Sequence, residues 1–261
     1  MKTKIVVLLG ASMIIGGSLS AQSLSSRVSR VNDGVVRFSY ASRPDVCGNG
    51  DNNINFGNGH RMTRNNKDDD DDNCPCVYGP VRVTLTVHGS TVSRIRVAVG
   101  TTPRSNPPGL VDLGTVGTTE AAAYLLDVAR QAGSSVGGDA IFALTLADSV
   151  TPWPDLIRLA RNSSVRNDTR KSAVFWLGQA AGDAATKDLA ELAEDERGDQ
   201  DVRESAVFAL SQLSDDQGVP ALIRIARSNK DPEIRRKALF WLGQSDDPRA
   251  LDLFEELLSS N

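Results

Sequence analysis

The sequence predicts an α+β protein: a small N-terminal antiparallel β domain followed by an all-α solenoid. Three observations carry that expectation. Alternating apolar and polar runs lie before residue 100, paired helical segments recur every 32 or 33 residues further on, and composition changes between the two. A length of 261 residues allows one or two domains, and 40% hydrophobic with 24% charged residues is a globular composition. All 3 Cys and both His precede Thr102. From Leu24 to Leu110 there are 11 Lys or Arg against 8 Asp, and from Val111 to Asn261 there are 16 against 25 Asp or Glu. A net charge of -4 for the whole chain opposes a nucleic-acid partner.

Residues 1-23 read as a secretory signal peptide. Lys2 and Lys4 give a basic start, Ile5 to Ile15 is almost wholly apolar, and small residues follow from Gly16 to Ser23. Ser18-Leu19-Ser20 and Ala21-Gln22-Ser23 both fit a small-x-small site, which puts cleavage after Ser20 or Ser23. The apolar run is about half of the ~20 residues needed to span a bilayer, so no transmembrane anchor is expected after cleavage. The expected location is the periplasm or the extracellular space.

Residues 24-110 read as the β domain. Gly34 to Tyr40 alternates after an Asn32-Asp33-Gly34 turn signal, and Val81 to Val87 alternates strictly. Val92 to Val99 also alternates once Ser93-Arg94 is read as a slip or bulge, and His88-Gly89-Ser90-Thr91 makes the connection a hairpin. Val81, Val83, Leu85 and Val87 share one face, while Arg82 and Thr84 share the other. A hairpin alone is marginal, so Gly34–Tyr40 is expected to pair with it and the helical part to cover its apolar face.

Residues 47-76 read as one long loop rich in Asn, Gly and Asp, with Asp68 to Asp72 as five adjacent carboxylates. Such a run reads as solvated. An oxygen-rich loop could also hold Ca²⁺, but the run has neither alternating ligands nor a Gly turn, and no metal is assigned. Cys47, Cys74 and Cys76 flank the loop. In an oxidising compartment Cys47 would bridge to Cys74 or to Cys76, a closure worth about 3–4 kcal/mol in the chain-entropy model. Cys74-Pro75-Cys76 is too short to bridge itself and is not a C-x-x-C redox motif.

Residues 118-261 repeat themselves. Arg170 to Gln179 reads RKSAVFWLGQ, Arg203 to Gln212 reads RESAVFALSQ, and Arg235 to Gln244 reads RRKALFWLGQ. Partner segments begin at Leu156, Leu189 and Leu222, a weaker copy covers Leu125–Ala129 with Ala140–Leu144, and Leu251–Phe254 opens a last helix. Breakers lie between them at Pro152, Pro154, Gly182, Gly218, Pro220 and Pro248. A two-helix unit of this size cannot bury its apolar faces alone, whereas stacked units can. About four helix pairs and a closing helix are expected.

Each unit places a turn-forming acidic linker before a hydrophobe-Arg pair, as in Asp201-Val202-Arg203-Glu204 and Glu233-Ile234-Arg235-Arg236, and an Ala follows in the second helix. The arrangement resembles HEAT-like repeats of the phycobilisome-lyase type. The resemblance covers about half the chain and implies that second helices near 139-147, 171-179, 204-213 and 236-244 line a concave side. It also implies that Arg170, Arg203 and Arg235 form a structural ladder to acids of the neighbouring unit, with Asp168, Asp201 and Glu233 as candidates.

A second stripe runs through the repeats. Ser172, Phe175 and Gln179 recur as Ser205, Phe208 and Gln212, and nearly as Lys237, Phe240 and Gln244, with Trp176 and Trp241 adjoining. Two readings stand. The aromatic rings can be core, with Gln closing a helix end on backbone. Alternatively Phe175, Trp176, Gln179, Phe208, Gln212, Phe240, Trp241 and Gln244 form a groove for an extended peptide, since aromatic anchors beside amide donors suit protein partners.

Enzyme readings lack parts. The repeats contain no His, which removes the His-Glu pairs of helical-repeat metal hydroxylases, and their charge opposes the cationic groove of helical-repeat DNA glycosylases. No Gly-x-Ser-x-Gly elbow, phosphate-cradling loop or His-Glu-x-x-His motif occurs. Phycobilin-lyase activity would need a chromophore protein in the same compartment, which a signal peptide opposes. The expected function is therefore non-catalytic protein or peptide binding without a cofactor. The alternatives are an envelope scaffold that binds through its β domain and acidic loop, and an enzyme with a carboxylate site that no motif reveals.

Overall fold

The computed structural model describes residues 22–51, 53–56, 61–63, 76–100, 106–133 and 135–259. Most of the signal segment, the Asp68–Asp72 run and Cys74 lie outside the described residues. A short helix α1 (Leu24–Val28) opens the described chain, with the Ser23 hydroxyl accepting from the Ser26 amide at 3.3 Å. Strands β1 (Gly34–Tyr40), β2 (Val46–Gly48), β3 (Asn53–Phe56), β4 (Arg61–Thr63), β5 (Val77–Tyr78), β6 (Val81–His88), β7 (Thr91–Val99) and β8 (Leu110–Thr115) follow.

They form two sheets, ordered β7-β6-β1-β8 and β4-β3-β2-β5. In the first, β1 pairs antiparallel with β6 from Gly34↔Val87 to Tyr40↔Val81, and β6 with β7. The register slips where Thr86 faces Arg94 and Val87 faces Val92, so Ser93 is the bulged residue. Gly89 and Ser90, at φ 54° and 61°, make the turn. The sheet is mixed, because β8 runs parallel to β1 from Val35↔Leu110. The span 47-76 is only partly a loop. Val46–Gly48, Asn53–Phe56 and Arg61–Thr63 are ladder strands, and Ile54 is buried despite its Asn-rich surroundings. Cys47 is bonded to Cys76, with their Cα atoms 5.3 Å apart, which ties β2 to the start of β5.

Ten α-helices are described in all. Four pairs follow the sheets: α2 (Thr118–Gln131) with α3 (Ser135–Thr145), α4 (Trp153–Arg161) with α5 (Asn167–Trp176), α6 (Thr186–Glu194) with α7 (Gln200–Ser211), and α8 (Asp215–Ser228) with α9 (Pro232–Leu242). The helix α10 (Pro248–Ser259) lies on α8. The architecture is therefore α+β, with a C-terminal helical stack. Successive second helices pack on one another more extensively than successive first helices do, which places them on the inner side of the stack.

The second helices begin four residues earlier than the repeat alone suggests, at Ser135, Asn167, Gln200 and Pro232. The first turns of the last three hold the linker acids Asp168, Asp201 and Glu233, where a carboxylate is favoured by the helix dipole. Gly218 and Pro220 do not break the chain but lie inside α8, which starts at Asp215. Pro220 is tolerated because it falls in the second turn, where the carbonyl it leaves unpaired belongs to the exposed Asp216.

Sheet and stack share one continuous core. Val36, Phe38, Tyr40, Val83, Leu85 and Ile95 face inward with Leu24, Tyr124, Leu125 and Ile141. The Phe38 ring meets Tyr124 edge-on at 5.9 Å. Tyr40 is completely buried and donates its hydroxyl to the Ala143 carbonyl at 2.6 Å, and burial raises its pKa far above the ordinary tyrosine value. Backbone bonds from Arg43 to Leu146 and from Asp148 to Ala41 continue the seam.

Candidate functional site

The repeated arginines fix the stack. Arg170, almost fully buried, donates from Nε to the Ala160 carbonyl at 2.8 Å and pairs through Nη1 with Asp199. Arg203 repeats the geometry, with Nε 3.3 Å from the Ala193 carbonyl and Nη1 2.7 Å from Asp231. Each arginine joins the carbonyl end of its own first helix to the residue that caps the next second helix. The acids are thus Asp199 and Asp231, not the exposed Asp168, Asp201 and Glu233; Asp201 accepts instead from Asn167 at 3.1 Å and Glu233 pairs with Arg236 of its own helix. Arg235, half-buried, donates instead to the Asn229 and Lys230 carbonyls of its own unit.

An outer set of pairs joins first helices: Arg161 with Glu191, Glu194 with Arg224, and Arg227 with Glu256. These are exposed pairs, and each contributes about 0–1 kcal/mol.

On the inner side the aromatic residues gather in two clusters. Trp176 is buried, stacked on Phe142 at 5.1 Å and set 6.3 Å from Phe56 of β3, with Phe175 edge-on at 5.2 Å. Phe208, Trp241 and Phe240 form the other, with both Phe rings 5.0 Å from the indole. Phe175, Phe208 and Trp241 are half-buried, while Phe240 is 55% exposed. The Trp241 indole nitrogen is shielded and has no hydrogen-bond partner among the described residues. The middle unit has Ala209 where its neighbours have Trp. The preceding unit makes a π-helical turn over Leu177–Ala181, and a Cβ on Gly178 would stand 3.1 Å from that of Ala209. An indole could not fit so close an approach.

Gln179 is half-buried, and Gln212 and Gln244 are exposed. Gln212 donates to Ser211 Oγ at 3.1 Å. The stripe serines turn back on their own helices, Ser172 to the Asp168 carbonyl and Ser205 to that of Asp201. Phe56 and Phe142 were not among the sequence candidates. Phe142 is the weak first copy of the Phe175 position, and Phe56 carries no repeat signal.

Beside Phe208 and Phe240, Lys237 reaches Glu204 at 3.0 Å between adjacent second helices. The hydrogen bond from Lys237, joined by one from Gln200, holds the Glu204 carboxyl below its usual range despite some desolvation. That contribution is present above the ordinary Glu value and is lost as pH falls through the lowered one. Glu204→Gln should therefore cost under about 1 kcal/mol near neutrality, with the gap to wild type closing on acidification. Urea unfolding at several pH values measures it.

Among the described residues no group of three or more His, Cys, Asp or Glu is placed to hold a metal, and no helix is long and apolar enough to cross a membrane. The class that this geometry defines is an α-solenoid of paired helices. Residues 196–261 match the family described as HEAT repeats, which supports HEAT-like repeats in the C-terminal stack. No curated protein matches the chain.

Proposed function

We propose that the chain is a non-catalytic binding protein that holds an extended segment of another protein along its second helices. The observation that carries this reading is the Phe208–Trp241–Phe240 cluster, two rings around an indole with the Phe240 ring largely in solvent. An apolar side chain of the partner would cover Phe240, which is how aromatic anchors act at protein interfaces. Phe175, Trp176, Gln179, Gln212 and Gln244 extend the surface, with Trp176 acting from beneath by supporting Phe175. The ladder of Arg170 and Arg203 keeps the units in register.

A mature chain of a β domain over residues 24-110 and repeats over 118-261, acting in the periplasm or outside the cell, fits this reading. The basic and apolar start supports export, and the Cys47–Cys76 bond suits an oxidising compartment. The repeat signature supports a likeness to phycobilisome-lyase-type repeats without their chemistry.

The test compares crosslinked partners of the wild-type chain in its native cell with those of Phe175→Ala/Phe208→Ala/Phe240→Ala. Affinity for the recovered partner should fall at least about tenfold, the loss of one anchor being worth over about 1.4 kcal/mol. Phe240→Ala alone, at an exposed position, separates binding from folding. Unchanged partners on a folded triple variant would defeat the reading. Loss of binding on deleting residues 50–72 would instead favour a scaffold that binds through its β domain.

A further inference from the structure

At α9 the contacts that join one second helix to the next are left unfinished by the described residues. Val174 of α5 and Val207 of α7 are completely buried in units that another second helix follows, while Leu239, at the same position of α9, is only partly buried. Arg170 and Arg203 each pair with an acid at the start of the next second helix, whereas Arg235 meets no acid among the described residues. Glu204 reaches Lys237 of the next second helix, whereas Arg236, at the same position, pairs with Glu233 of its own helix.

The helix α10 carries the complement of this face. It runs parallel to α8, because Arg249 at its start pairs with Asp216 and Glu256 near its end pairs with Arg227. The short link 229–231 turns α9 back on α8, so α10 is antiparallel to α9. Leu253 and Glu256 lie on the α8 side, and Leu251, Glu255 and Leu258 form a stripe on the other. Leu251 is 62% and Leu258 80% exposed, and the exposed Glu255 makes no ion pair among the described residues. Leu239 stands three residues before the end of α9 and Leu251 three after the start of α10, while Arg235 and Glu255 each stand seven from those ends. The members of each couple therefore share a height, about 4.5 and 10.5 Å from the α9–α10 turn.

We propose that two copies of the chain dimerise through this end of the stack, about a two-fold axis parallel to the helices. Each copy lays α10 along α9 of the other, in the place a further second helix would take. Rotation about that axis keeps every residue at its height, so Leu251 meets the partner's Leu239 and Glu255 meets the partner's Arg235. An isologous contact must be self-complementary, and this face supplies both halves: leucines for a half-covered leucine, and an unpaired acid for an arginine without one. The opposite end of the stack packs on the first sheet, so it offers no matching surface for copies to stack head to tail.

Sedimentation equilibrium of the purified chain over a wide range of concentration tests this. Wild type should pass from monomer to dimer as concentration rises. Leu251→Glu/Leu258→Glu changes two exposed positions, so it should stay folded by circular dichroism yet dimerise at least about tenfold more weakly. Arg235→Glu and Glu255→Arg should each weaken the homodimer, because like charges then face each other. An equimolar mixture of the two should recover the dimer, since both contacts of the mixed pair join opposite charges. If Arg235→Glu disturbs the fold, the leucine variant decides alone. Three results would overturn the proposal: a monomer at every concentration, which would leave the face to a helix of another protein, a dimer that the leucine variant does not weaken, or folded charge variants whose mixture fails to recover it.

Discussion

Arg203→Met is expected to destabilise the chain by about 3–5 kcal/mol, because it leaves a shielded carboxylate and several acceptors without their cation. In the native stack the guanidinium joins the Ala193 carbonyl, Asp231, Gln200 and Asn229, three of them within 3.3 Å. Methionine fills the volume of the stem, so the loss reads the polar head rather than a cavity. Asp231 also caps α9, accepting from the Glu233 amide at 2.9 Å, and an unpaired Asp231 would retain that bond. Arg235→Met is the internal control. It removes only hydrogen bonds to two loop carbonyls and should cost about 1 kcal/mol. Equilibrium urea unfolding followed by circular dichroism gives both numbers. An Arg203→Met variant within 1 kcal/mol of wild type would mean that apolar stacking alone sets the register of the units.

The contrast between these arginines also shows what could be read in advance. The repeat exposed the position of Arg170, Arg203 and Arg235, because a spacing of 32 or 33 residues survives any local ambiguity. It did not expose their partners, because starting the second helices at the apolar run overlooked one turn of polar residues. The signal was present in Lys230-Asp231-Pro232, since Pro at the first helical position after Asp marks a helix start. The alternating hairpin and its bulge were legible in period-two patterning.

The second sheet was not legible. Its strands are only two to four residues long, and Asn53 and Asn55 fill positions where apolar residues would announce a strand. What makes it a sheet is the disulfide and a close backbone approach, neither of which leaves a periodic trace. Phe56 was overlooked for the same reason: its role comes from where the ladder delivers it, against Phe142 and Trp176.

That close approach gives the other large expected effect. Gly48, Gly79 and Gly100 meet where β2 and β5 cross the end of β7. A Cβ on Gly100 would stand 2.6 Å from the Val77 carbonyl oxygen and nearer still to that of Gly48, and both obstacles are backbone. The residue also has φ +98°, which side-chain-bearing residues rarely adopt. Gly100→Ala should therefore cost about 3 kcal/mol or more, adding about 1–3 for overpacking to the conformational penalty. Gly109→Ala separates the two contributions, because Gly109 has φ +70° and nothing within 4 Å of its missing Cβ, so about 1–2 kcal/mol is expected there. Gly48→Ala, whose Cβ would lie 2.6 Å from the Val99 carbonyl oxygen without a left-handed φ, should resemble Gly100→Ala more than Gly109→Ala. If the second sheet shifts away to relieve the clash, Phe56 leaves Trp176, and tryptophan emission should move to longer wavelength while the helical signal is kept. Equal costs for Gly100→Ala and Gly109→Ala would show that the sheets do not depend on this contact, and that Phe56 is held against the stack by its own rings.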